Sequence, residues 1–450
     1  MLAMGPLVKE QNGNFTVSRR AWFDEDVHRE ELDRIFARSW LFVGHESEIP
    51  EPGDYVTRRL GVEPVIMTRD KGGEVRIVGN TCRHRGIRLC RADRGNSSHF
   101  RCPYHGWTYA SDGRLTGVTN VREIFDASFD KARFPLYTPA QVDSVYGLVF
   151  ATWDPEAPPL EEFLGDALWY LGSIFGAFDD GLEVVGTPAR TMMPTNWKLE
   201  SENLSGDGYH TPITHQSAFV LGMFAGPEDW DRMGNVIAKK FRGRVVDAGN
   251  GHTFRVHHLP LAPDPPRFWG FPEEMWPEIA RNLDPGQTDV MARLSIIHGN
   301  IFPNLTVMEN FKTSTESKGS ATRYIRLTVQ YPIGHNRDEM LWWNFVPKSA
   351  SPEWREQSQR AYLRTNGPTG MLQVDDNENF AGFANSHSGQ VLQDGEVVLE
   401  AGMNDAIDTE VEWRGTVYDA DKTEQTMRAF WRQWASYMEA GEGSSAPVPT

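Results

Sequence analysis

Cysteine is scarce in this chain, which has three among 450 residues. Three thiols are too few for the disulfide framework of a small secreted protein, and low cysteine usage is typical of a reducing compartment. We therefore predict a cytoplasmic protein. Two of the three, Cys82 and Cys102, lie close to histidines, which predicts metal binding rather than disulfide formation.

Long apolar runs and an excess of positive charge are missing as well. The longest apolar stretches, such as Val145–Trp153, suit a buried strand and are too short for a membrane span. Residues 1–15 lack the apolar segment of a secretory signal. The formal net charge is −17, which would repel the phosphates of a nucleic acid. We therefore expect neither a membrane nor a nucleic acid as a partner.

Two short motifs each pair a thiolate with an imidazole. The first contains Cys82 and His84, and the second contains Cys102 and His105. Zinc sites can use the same four ligands, but they usually keep like ligands together, as Cys-x-x-Cys followed by His-x-x-x-His. One cysteine and one histidine from each of two loops instead favour a Rieske [2Fe–2S] cluster, in which two histidines bind one of the irons.

A second candidate metal site lies between residues 196 and 215. In a continuous helix, Asn203, Asp207 and His210 would share one face. Pro212 would break that helix and bring His215 from its disrupted end. Two imidazoles and a carboxylate with open positions form the facial triad of non-haem Fe(II) sites. The alternative interpretation is a helix with ordinary core or surface histidines.

Local spacing leaves the carboxylate of this triad open. Glu202 and Asp207 lie close to the histidines, whereas Asp375 and Asp376 lie far along the chain. Two adjacent ionised aspartates repel each other, so a half-buried pair predicts a nearby cation. A solvated acidic turn is the alternative interpretation of that pair.

The distribution of β-prone segments predicts an all-β domain followed by a mixed one. Asp54–Leu60, Glu63–Thr68 and Val75–Gly79 are short β-prone runs separated by turn residues. Proline-rich residues then mark a boundary near 155. The predicted divisions are an N-terminal segment (1–39), an all-β domain (40–154), a second domain (155–440) and a disordered tail (441–450).

The second domain combines strands with helices. Thr322–Tyr331 and Met340–Val346 are predicted strands. Asp421–Ala440 is a predicted closing helix, which a capping box of Asp421 and Glu424 would begin.

With these motifs, the chain resembles the large (α) subunit of Rieske non-haem iron aromatic ring-hydroxylating dioxygenases. The resemblance implies an α+β fold, in which an all-β Rieske domain precedes a helix-grip-like catalytic domain with an antiparallel sheet and flanking helices. It also implies two cofactors, a Rieske [2Fe–2S] cluster and a mononuclear Fe(II). The implied cluster ligands are Cys82, His84, Cys102 and His105, and the implied iron ligands are His210, His215 and Asp376.

The same resemblance assigns catalytic and pocket residues. Asp207 becomes a bridge that hydrogen-bonds His210 and, across a subunit boundary, His105 of the partner subunit, and Asn203 lies near the iron. The implied pocket residues are Leu204, Thr211, His298, Asn300, Asn366 and Leu372. The last two stand where relatives carry aromatic residues. Leu204, Leu372 and the aromatic-rich stretch Phe219–Phe224 suggest an apolar ring or fused rings, and Asn366 and Thr211 would also allow a polar substituent. Because no arginine or lysine can be assigned to the pocket, a carboxylated substrate is disfavoured.

The implied function is that of a terminal oxygenase component, which adds both atoms of O2 to an aromatic ring and gives a cis-dihydrodiol. Electrons come from NAD(P)H through a reductase and a ferredoxin. Between Cys82 and Cys102 lie six arginines against one acid, Asp93, and such a basic patch would attract an acidic electron carrier. The family implies trimers, commonly with a small β subunit as an α3β3 hexamer.

Two alternative functions remain at this stage. A Rieske-type aromatic monooxygenase or demethylase would share every metal ligand and differ only in its products. A Rieske electron-transfer protein would need the cluster alone, and would leave the second metal set and most of the chain without a role.

Overall fold

The computed structural model describes residues 6–220, 242–259, 261–313, 321–386, 395–403, 405–407, 413–418 and 423–439. These residues form two compact units: one is Leu32–Leu160, and the other combines the residues up to Glu31 with those from Glu161 onwards. The predicted domain boundaries stay predictions, and the predicted tail at 441–450 lies outside the described residues. None of the helices in these ranges combines the length and the apolar composition that a membrane span requires.

The described chain starts with a hairpin and two short helices. The hairpin is formed by β1 (Val8–Gln11) and β2 (Asn14–Ser18), and the helices are α1 (Arg20–Phe23) and α2 (Glu25–Glu31). A π-helical turn, Leu32–Phe36, follows α2.

The unit Leu32–Leu160 is built from antiparallel sheets, which pair in the orders β6-β5-β4-β7, β10-β9-β8 and β11-β12-β3. Its elements are β3 (Leu41–His45), β4 (Asp54–Leu60), β5 (Glu63–Arg69), β6 (Val75–Gly79), β7 (Arg94–Asn96), β8 (His99–Arg101), β9 (Thr108–Ala110), β10 (Leu115–Gly117), the short helix α3 (Val121–Ile124), β11 (Gln141–Val145) and β12 (Leu148–Thr152). The strands predicted at 54–79 are confirmed as β4, β5 and β6. The single strand predicted at Val145–Trp153 is wrong at its start, because Tyr146 and Gly147 turn the chain between β11 and β12.

The larger unit is organised around an antiparallel sheet that has nine strands among the described residues. The remaining strands are β13 (Leu182–Val184), β14 (Ala189–Met193), β15 (Arg242–Asp247), β16 (Thr253–His258), β17 (Ile296–Ile301), β18 (Leu305–Thr313), β19 (Ala321–Gly334), β20 (Arg337–Pro347), β21 (Glu396–Val398) and β22 (Thr416–Tyr418). The sheet order is β13-β20-β19-β18-β17-β16-β15-β22, β14 also pairs with β20, and β21 pairs with β2 instead. The strands predicted at Thr322–Tyr331 and Met340–Val346 lie within β19 and β20.

Helices accompany this sheet, so the predicted α+β fold is confirmed. They are α4 (Leu160–Leu164), α5 (Ala167–Phe175), α6 (Lys198–Leu204), α7 (Thr211–Thr214), α8 (Gln216–Val220), α9 (Trp276–Asn282), α10 (Pro285–Ala292), α11 (Pro352–Thr365), α12 (Met371–Asn385) and α13 (Gln425–Glu439). The predicted start of the closing helix is wrong. Glu424 precedes α13, and its carboxylate accepts a hydrogen bond of 2.7 Å from the Ala401 N–H. Asp421 lies outside the described residues.

The two faces of the nine-stranded sheet differ in polarity. Residues directly opposite each other on antiparallel strands point to the same face. One row across β16–β20 is Phe254, Gly299, Val307, Leu327 and Trp343, whereas the next row, on the other face, is Arg255, His298, Met308, Arg326 and Asn344. Helix α6 packs against the strands β16–β19. Buried polar groups need hydrogen-bond partners, so the polar side chains of the second face are expected to pair with residues of the elements that cover it.

A buried ion pair connects α2, α6 and α13. Lys198 Nζ lies 2.5 Å from Glu31 Oε1, which also accepts a hydrogen bond of 2.8 Å from the Trp434 indole N–H. The other carboxylate oxygen accepts a hydrogen bond of 2.9 Å from the Trp197 indole N–H. All four side chains are almost fully buried. Removing one partner of such a pair leaves an uncompensated charge in the core.

We expect Glu31→Gln to lower the free energy of unfolding of this unit by about 3–5 kcal/mol, because the buried Lys198 amine would lose its nearest carboxylate. Urea-induced unfolding, followed by tryptophan fluorescence, measures the loss. Glu396→Gln is the matched control, since its pair with Lys9 is exposed and should contribute less than about 1 kcal/mol. Equal effects of the two substitutions would contradict a structural role for the buried pair.

Candidate metal centres and substrate pocket

The two cysteine–histidine motifs form two loops with the same backbone hydrogen bond. The Gly86 N–H donates to the Cys82 carbonyl at 2.9 Å, and the Gly106 N–H donates to the Cys102 carbonyl at 3.0 Å. Both glycines have positive φ, 67° and 70°, a conformation that residues with a side chain rarely adopt. The two loops are therefore equivalent frames, each presenting one thiol and one imidazole.

The four side chains of these loops lie together. Cys82 and Cys102 are buried, and the rings of His84 and His105 have centroids 4.5 Å apart. Trp107 stacks on His84 at 5.0 Å, which fixes the ring. The His84 Nδ1 is buried and has no hydrogen-bond partner among the described residues. A buried, unpartnered ring nitrogen beside two thiols fits a metal ligand.

The electrostatics of the thiols also fit a cationic cluster. Burial raises the pKa of the Cys82 thiol; the Tyr109 hydroxyl, 3.4 Å from its sulfur, lowers that pKa, and the neighbouring Cys102 raises it. Two thiolates in this setting repel each other unless iron supplies positive charge. The donor set of two thiols and two imidazoles therefore fits a [2Fe–2S] cluster with mixed ligands.

The second group consists of His210, His215 and Asp376. One donor atom from each residue lies within 4.8 Å of the others. The Asp376 Oδ1 is 3.5 Å from the His210 Nε2 and 3.3 Å from the His215 Nε2. The structure thus brings together three predicted ligands from the loop before α7, the end of α7 and the middle of α12.

A second carboxylate holds each histidine in this group. The His210 Nδ1 lies 3.0 Å from Asp207 Oδ2, and the His215 Nδ1 lies 3.3 Å from Asp375 Oδ2. In each ring, a carboxylate that accepts a hydrogen bond from Nδ1 leaves the Nε2 lone pair directed towards Asp376. Two imidazole nitrogens and one carboxylate oxygen therefore converge on one point. The arrangement fits a divalent cation such as Fe(II).

Burial and neighbouring charges shift the pKa values of this group. Burial raises the pKa of Asp376 well above its ordinary value and lowers the pKa of His215 to about 4. Burial also opposes ionisation of Asp207, yet its hydrogen bond with His210 holds its pKa below the ordinary value. Asp207 is therefore the charged acceptor that orients His210. The Asn203 amide nitrogen lies 3.4 Å from the same ring nitrogen.

The helix that would have placed Asn203, Asp207 and His210 on one face does not extend that far. Helix α6 ends at Leu204, and Gly206 has φ 131°, where a Cβ would collide with the side chain of Thr426 in α13. Asp207 lies in the turn that follows, and its Oδ1 accepts hydrogen bonds from the backbone N–H groups two and three residues later. Pro212 lies in the first turn of α7 rather than interrupting a longer helix.

A buried network ties α6 to α12. Arg326 of β19 donates to Glu200 of α6 at 2.9 Å and to the Gln373 side chain of α12 at 2.8 Å. Gln373 in turn donates to Glu200 at 3.2 Å, and all three residues are buried. Gln373 lies one turn before Asp376, so this network positions the candidate ligand Asp376 relative to α6.

Several predicted pocket residues line the interior of this region. Leu204 belongs to an apolar cluster with one methionine and two tyrosines of β18, β19 and α11. The Asn366 Oδ1 accepts a hydrogen bond of 2.5 Å from the Tyr324 hydroxyl, and Leu372 is buried on α12. The side chains of the stretch Phe219–Phe224 lie outside the described residues.

Sequence reasoning missed Arg255, which contacts two predicted pocket residues. Its Nη2 lies 3.1 Å from the His298 Nδ1, and its Nη1 lies 3.3 Å from the Thr211 Oγ1. Arg255 thus lies beside two predicted pocket residues, to which the sequence alone assigned no arginine. Asn300, two residues after His298, is fully buried, and neither polar atom of its amide has a partner among the described residues. Asp375 was also missed as the residue that orients His215.

Comparisons with known proteins agree with this geometry. Residues 39–130 match the family described as Rieske [2Fe–2S] domain, and residues 180–440 match the family described as ring hydroxylating alpha subunit (catalytic domain). The large oxygenase component of the naphthalene 1,2-dioxygenase system of Pseudomonas aeruginosa is 32% identical, over 93% of this chain and 90% of that protein. The N,N-dimethyl phenylurea N-demethylase subunit alpha of Sphingobium sp. (strain YBL2) is 30% identical, over 94% and 92%.

A solved structure resembles the chain over nearly its full length. The naphthalene 1,2-dioxygenase from Rhodococcus sp., bound to indole, superimposes with a TM-score of 0.87 at 36% identity, over 95% of each chain. The catalytic domain of this family uses a mononuclear non-haem iron, and the Rieske domain carries a [2Fe–2S] cluster.

We expect Asp375→Asn to weaken iron binding at the histidine–carboxylate group by about 10–100-fold, because the His215 ring would lose its charged acceptor. Iron retained per chain against a competing chelator measures this affinity. Glu378→Gln removes one exposed charge from the same helix and should leave iron binding unchanged. Identical iron retention in both variants would contradict the orienting role of Asp375.

Proposed function

This chain belongs to the family of ring-hydroxylating dioxygenase α subunits, and from that premise we propose its reaction and the roles of its residues. We propose that it is a terminal oxygenase component that adds both atoms of O2 to an aromatic ring, giving a cis-dihydrodiol with electrons from NAD(P)H. The observation that carries this proposal is the convergence of His210, His215 and Asp376 in a chain that also has the two cysteine–histidine loops.

The residue roles follow from the two groups of donor atoms. We assign the cluster to Cys82, His84, Cys102 and His105, and the mononuclear iron to His210, His215 and Asp376. When bound, the iron provides the site for O2 activation and the cluster provides electrons one at a time. The protein places these groups: Asp207 and Asp375 fix the two imidazoles, and Leu204 and Leu372 give the pocket apolar walls.

Asp207 has a second role in this proposal, as a bridge between subunits. Its carboxylate holds His210, and 24% of its side chain remains exposed. We propose that it also accepts a hydrogen bond from His105 of the partner subunit, which would connect the cluster of one chain with the iron of the next. This bridge requires a trimer, and an α3β3 hexamer with a small β subunit is part of the proposal.

The surface around the cluster loops supports docking of an electron carrier. Five of the six arginines predicted to form a basic patch are exposed: Arg85, Arg88, Arg91, Arg94 and Arg101. A cavity of about 730 Å³ beside the loops is lined by both cluster histidines. We propose a ferredoxin, reduced by a reductase, as the partner that binds near this patch, and a cytoplasmic location in keeping with the low cysteine content.

A demethylase or monooxygenase is the second candidate function. It is favoured by one observation, the 30% identity to an N-demethylase alpha subunit over most of the chain. Both candidates need the same metal ligands, so the products have to separate them. A pure electron-transfer role would leave the second group of ligands without a use.

Product analysis with ¹⁸O-labelled O2 tests the proposed reaction. The purified chain, with any β subunit, a generic ferredoxin and its reductase, would be supplied with mono- and polycyclic aromatics and N-methylated anilides. We expect a cis-diol that carries two labelled atoms from one O2 molecule. A phenol with one labelled atom, or a demethylated amine with formaldehyde, would favour the second candidate instead.

We expect Asp207→Ala to slow substrate-dependent oxidation of the reduced cluster by about 10–100-fold or more per bound iron, beyond any loss of iron affinity that the less constrained His210 ring causes. Single-turnover absorbance of the cluster gives the rate, and iron analysis gives the occupancy. Glu356→Gln, on the exposed side of α11, is the control and should leave the rate unaffected. An unchanged rate in Asp207→Ala would remove the bridging role.

A further inference from the structure

The two cluster loops share one backbone frame but differ in one side chain. The Cys82 N–H donates to the Ile87 carbonyl at 2.9 Å, and the Cys102 N–H donates to the Trp107 carbonyl at 2.7 Å. Ile87 and Trp107 therefore occupy equivalent positions. The Trp107 ring stacks on the His84 imidazole of the other loop, with centroids 5.0 Å apart and an interplanar angle of 7°. Because isoleucine stands at the equivalent position, the loop frame itself does not require an aromatic ring.

Three phenylalanines restrict the indole of Trp107. The rings of Phe125, Phe129 and Phe134 meet it edge to face, with centroids 5.8 to 6.3 Å away and interplanar angles of 65 to 74°. Edge-to-face contact is a preferred geometry for aromatic pairs. Within residues 122–134, which we call the aromatic strap, these three residues are half-buried and every other residue is exposed. The strap therefore presents its half-buried rings to Trp107 and limits how the indole can move.

The second cluster imidazole, that of His105, has a different environment. Its ring lies 3.8 Å from that of Tyr104, which is 56% exposed, whereas the Trp107 ring on His84 belongs to a residue that is only 4% exposed. Both imidazoles line the cavity beside the loops. Water in this cavity can reach His105, while the indole covers one face of His84. The chain thus constrains the two imidazoles unequally.

The charge of the cluster gives this cover a consequence. Two ferric ions, two sulfides, two thiolates and two neutral imidazoles add up to no net charge, so the addition of one electron leaves a negative charge. A poorly hydrated environment disfavours the more highly charged form. Solvent access is one of the factors that set the reduction potential of such clusters. An apolar ring on a ligand imidazole therefore favours the oxidised cluster.

We propose that Trp107 is a positioning residue of the cluster: its indole, clamped by the aromatic strap, fixes the His84 imidazole, excludes water from one face of it and so keeps the reduction potential low. A lower potential makes the reduced cluster a stronger electron donor to the mononuclear iron. The inference rests on the proposed function, because it takes His84 as a cluster ligand. It requires neither a substrate nor turnover.

Redox titration of the purified holoprotein, followed by the visible absorbance of the cluster, measures the potential. Trp107→Ile copies the side chain of the other loop and removes the flat ring. We expect it to favour the reduced cluster at least about threefold, which corresponds to a potential about 30 mV higher for one electron. Trp107→Phe keeps a ring on His84 and should show less than half of this shift. An unchanged or lower potential in Trp107→Ile would overturn the proposal.

A matched pair of leucine variants separates the strap from general loosening of the domain. Phe129 contacts Trp107, so Phe129→Leu should raise the potential in the same direction as Trp107→Ile. Phe150→Leu removes a ring that packs on Phe42 at 5.6 Å, in the sheet of β11, β12 and β3, and should leave the potential unchanged. Equal shifts in both variants would show that the proposal is wrong. This pair decides the question even if Trp107→Ile retains no cluster.

Pulsed EPR of the dithionite-reduced cluster tests the positioning itself. The couplings of the two ligand nitrogens depend on the orientation of each imidazole. We expect Trp107→Ile to change the coupling of one nitrogen and to leave that of the other as in wild type. Two unchanged couplings would contradict the positioning of His84. Two changed couplings would show a general distortion of the loops, which also contradicts it.

Two further results distinguish this inference from the proposed function. If His84→Ala loses the cluster while Trp107→Ile leaves the potential unchanged, the ligand assignment stands and the role of Trp107 fails. If the potential depends on Trp107 but no aromatic compound incorporates labelled oxygen, the role of Trp107 stands and the proposed reaction fails.

Discussion

One buried arginine, Arg326, connects α6, which precedes the candidate ligands His210 and His215, with α12, which carries Asp376. Its guanidinium binds Glu200 of α6 and Gln373 of α12, and these two residues also bind each other. The ligands come from segments about 160 residues apart in sequence, and local structure alone cannot align them. The Arg326 guanidinium donates hydrogen bonds to acceptors on both helices, and it thereby fixes the position of one helix relative to the other.

Three carboxylates then orient the histidines of the candidate metal site and complete its set of donor atoms. Asp207 and Asp375 each accept a hydrogen bond from the Nδ1–H of a histidine, and Asp376 faces the two Nε2 atoms. Aspartate therefore serves both as the acceptor that orients a histidine and as the candidate metal ligand, depending on which imidazole nitrogen lies nearest to it. On the polar face of the sheet, Arg255 orients His298 in a related way. Its guanidinium can only donate, so the His298 Nδ1, 3.1 Å away, accepts the hydrogen bond.

The sequence was sufficient where chemistry and local periodicity determine structure. The spacing of Cys82, His84, Cys102 and His105 indicated the cluster loops, and the β-prone runs gave β4, β5 and β6 almost to the residue. The sequence was insufficient where contacts between distant segments determine the local structure. The turn after Leu204 exists because α13 leaves no room for a side chain at Gly206, which no pattern near that glycine reveals. Arg255 could not be assigned to the pocket from sequence, because the face to which it points depends on the pairing of β16 with β17. The orienting role of Asp375 could not be assigned either, because only the fold distinguishes it from its neighbour Asp376.

The close approach of Gly206 to Thr426 has a consequence for truncation of the chain. The turn that presents Asp207 and His210 packs against Thr426 of α13, more than two hundred positions later, and against Val245 of β15. A chain cut before α13 would keep His210, His215 and Asp376, yet it would lose the helix against which this turn forms. Loss of α13 is therefore expected to disturb the candidate iron site without removing any of its ligands.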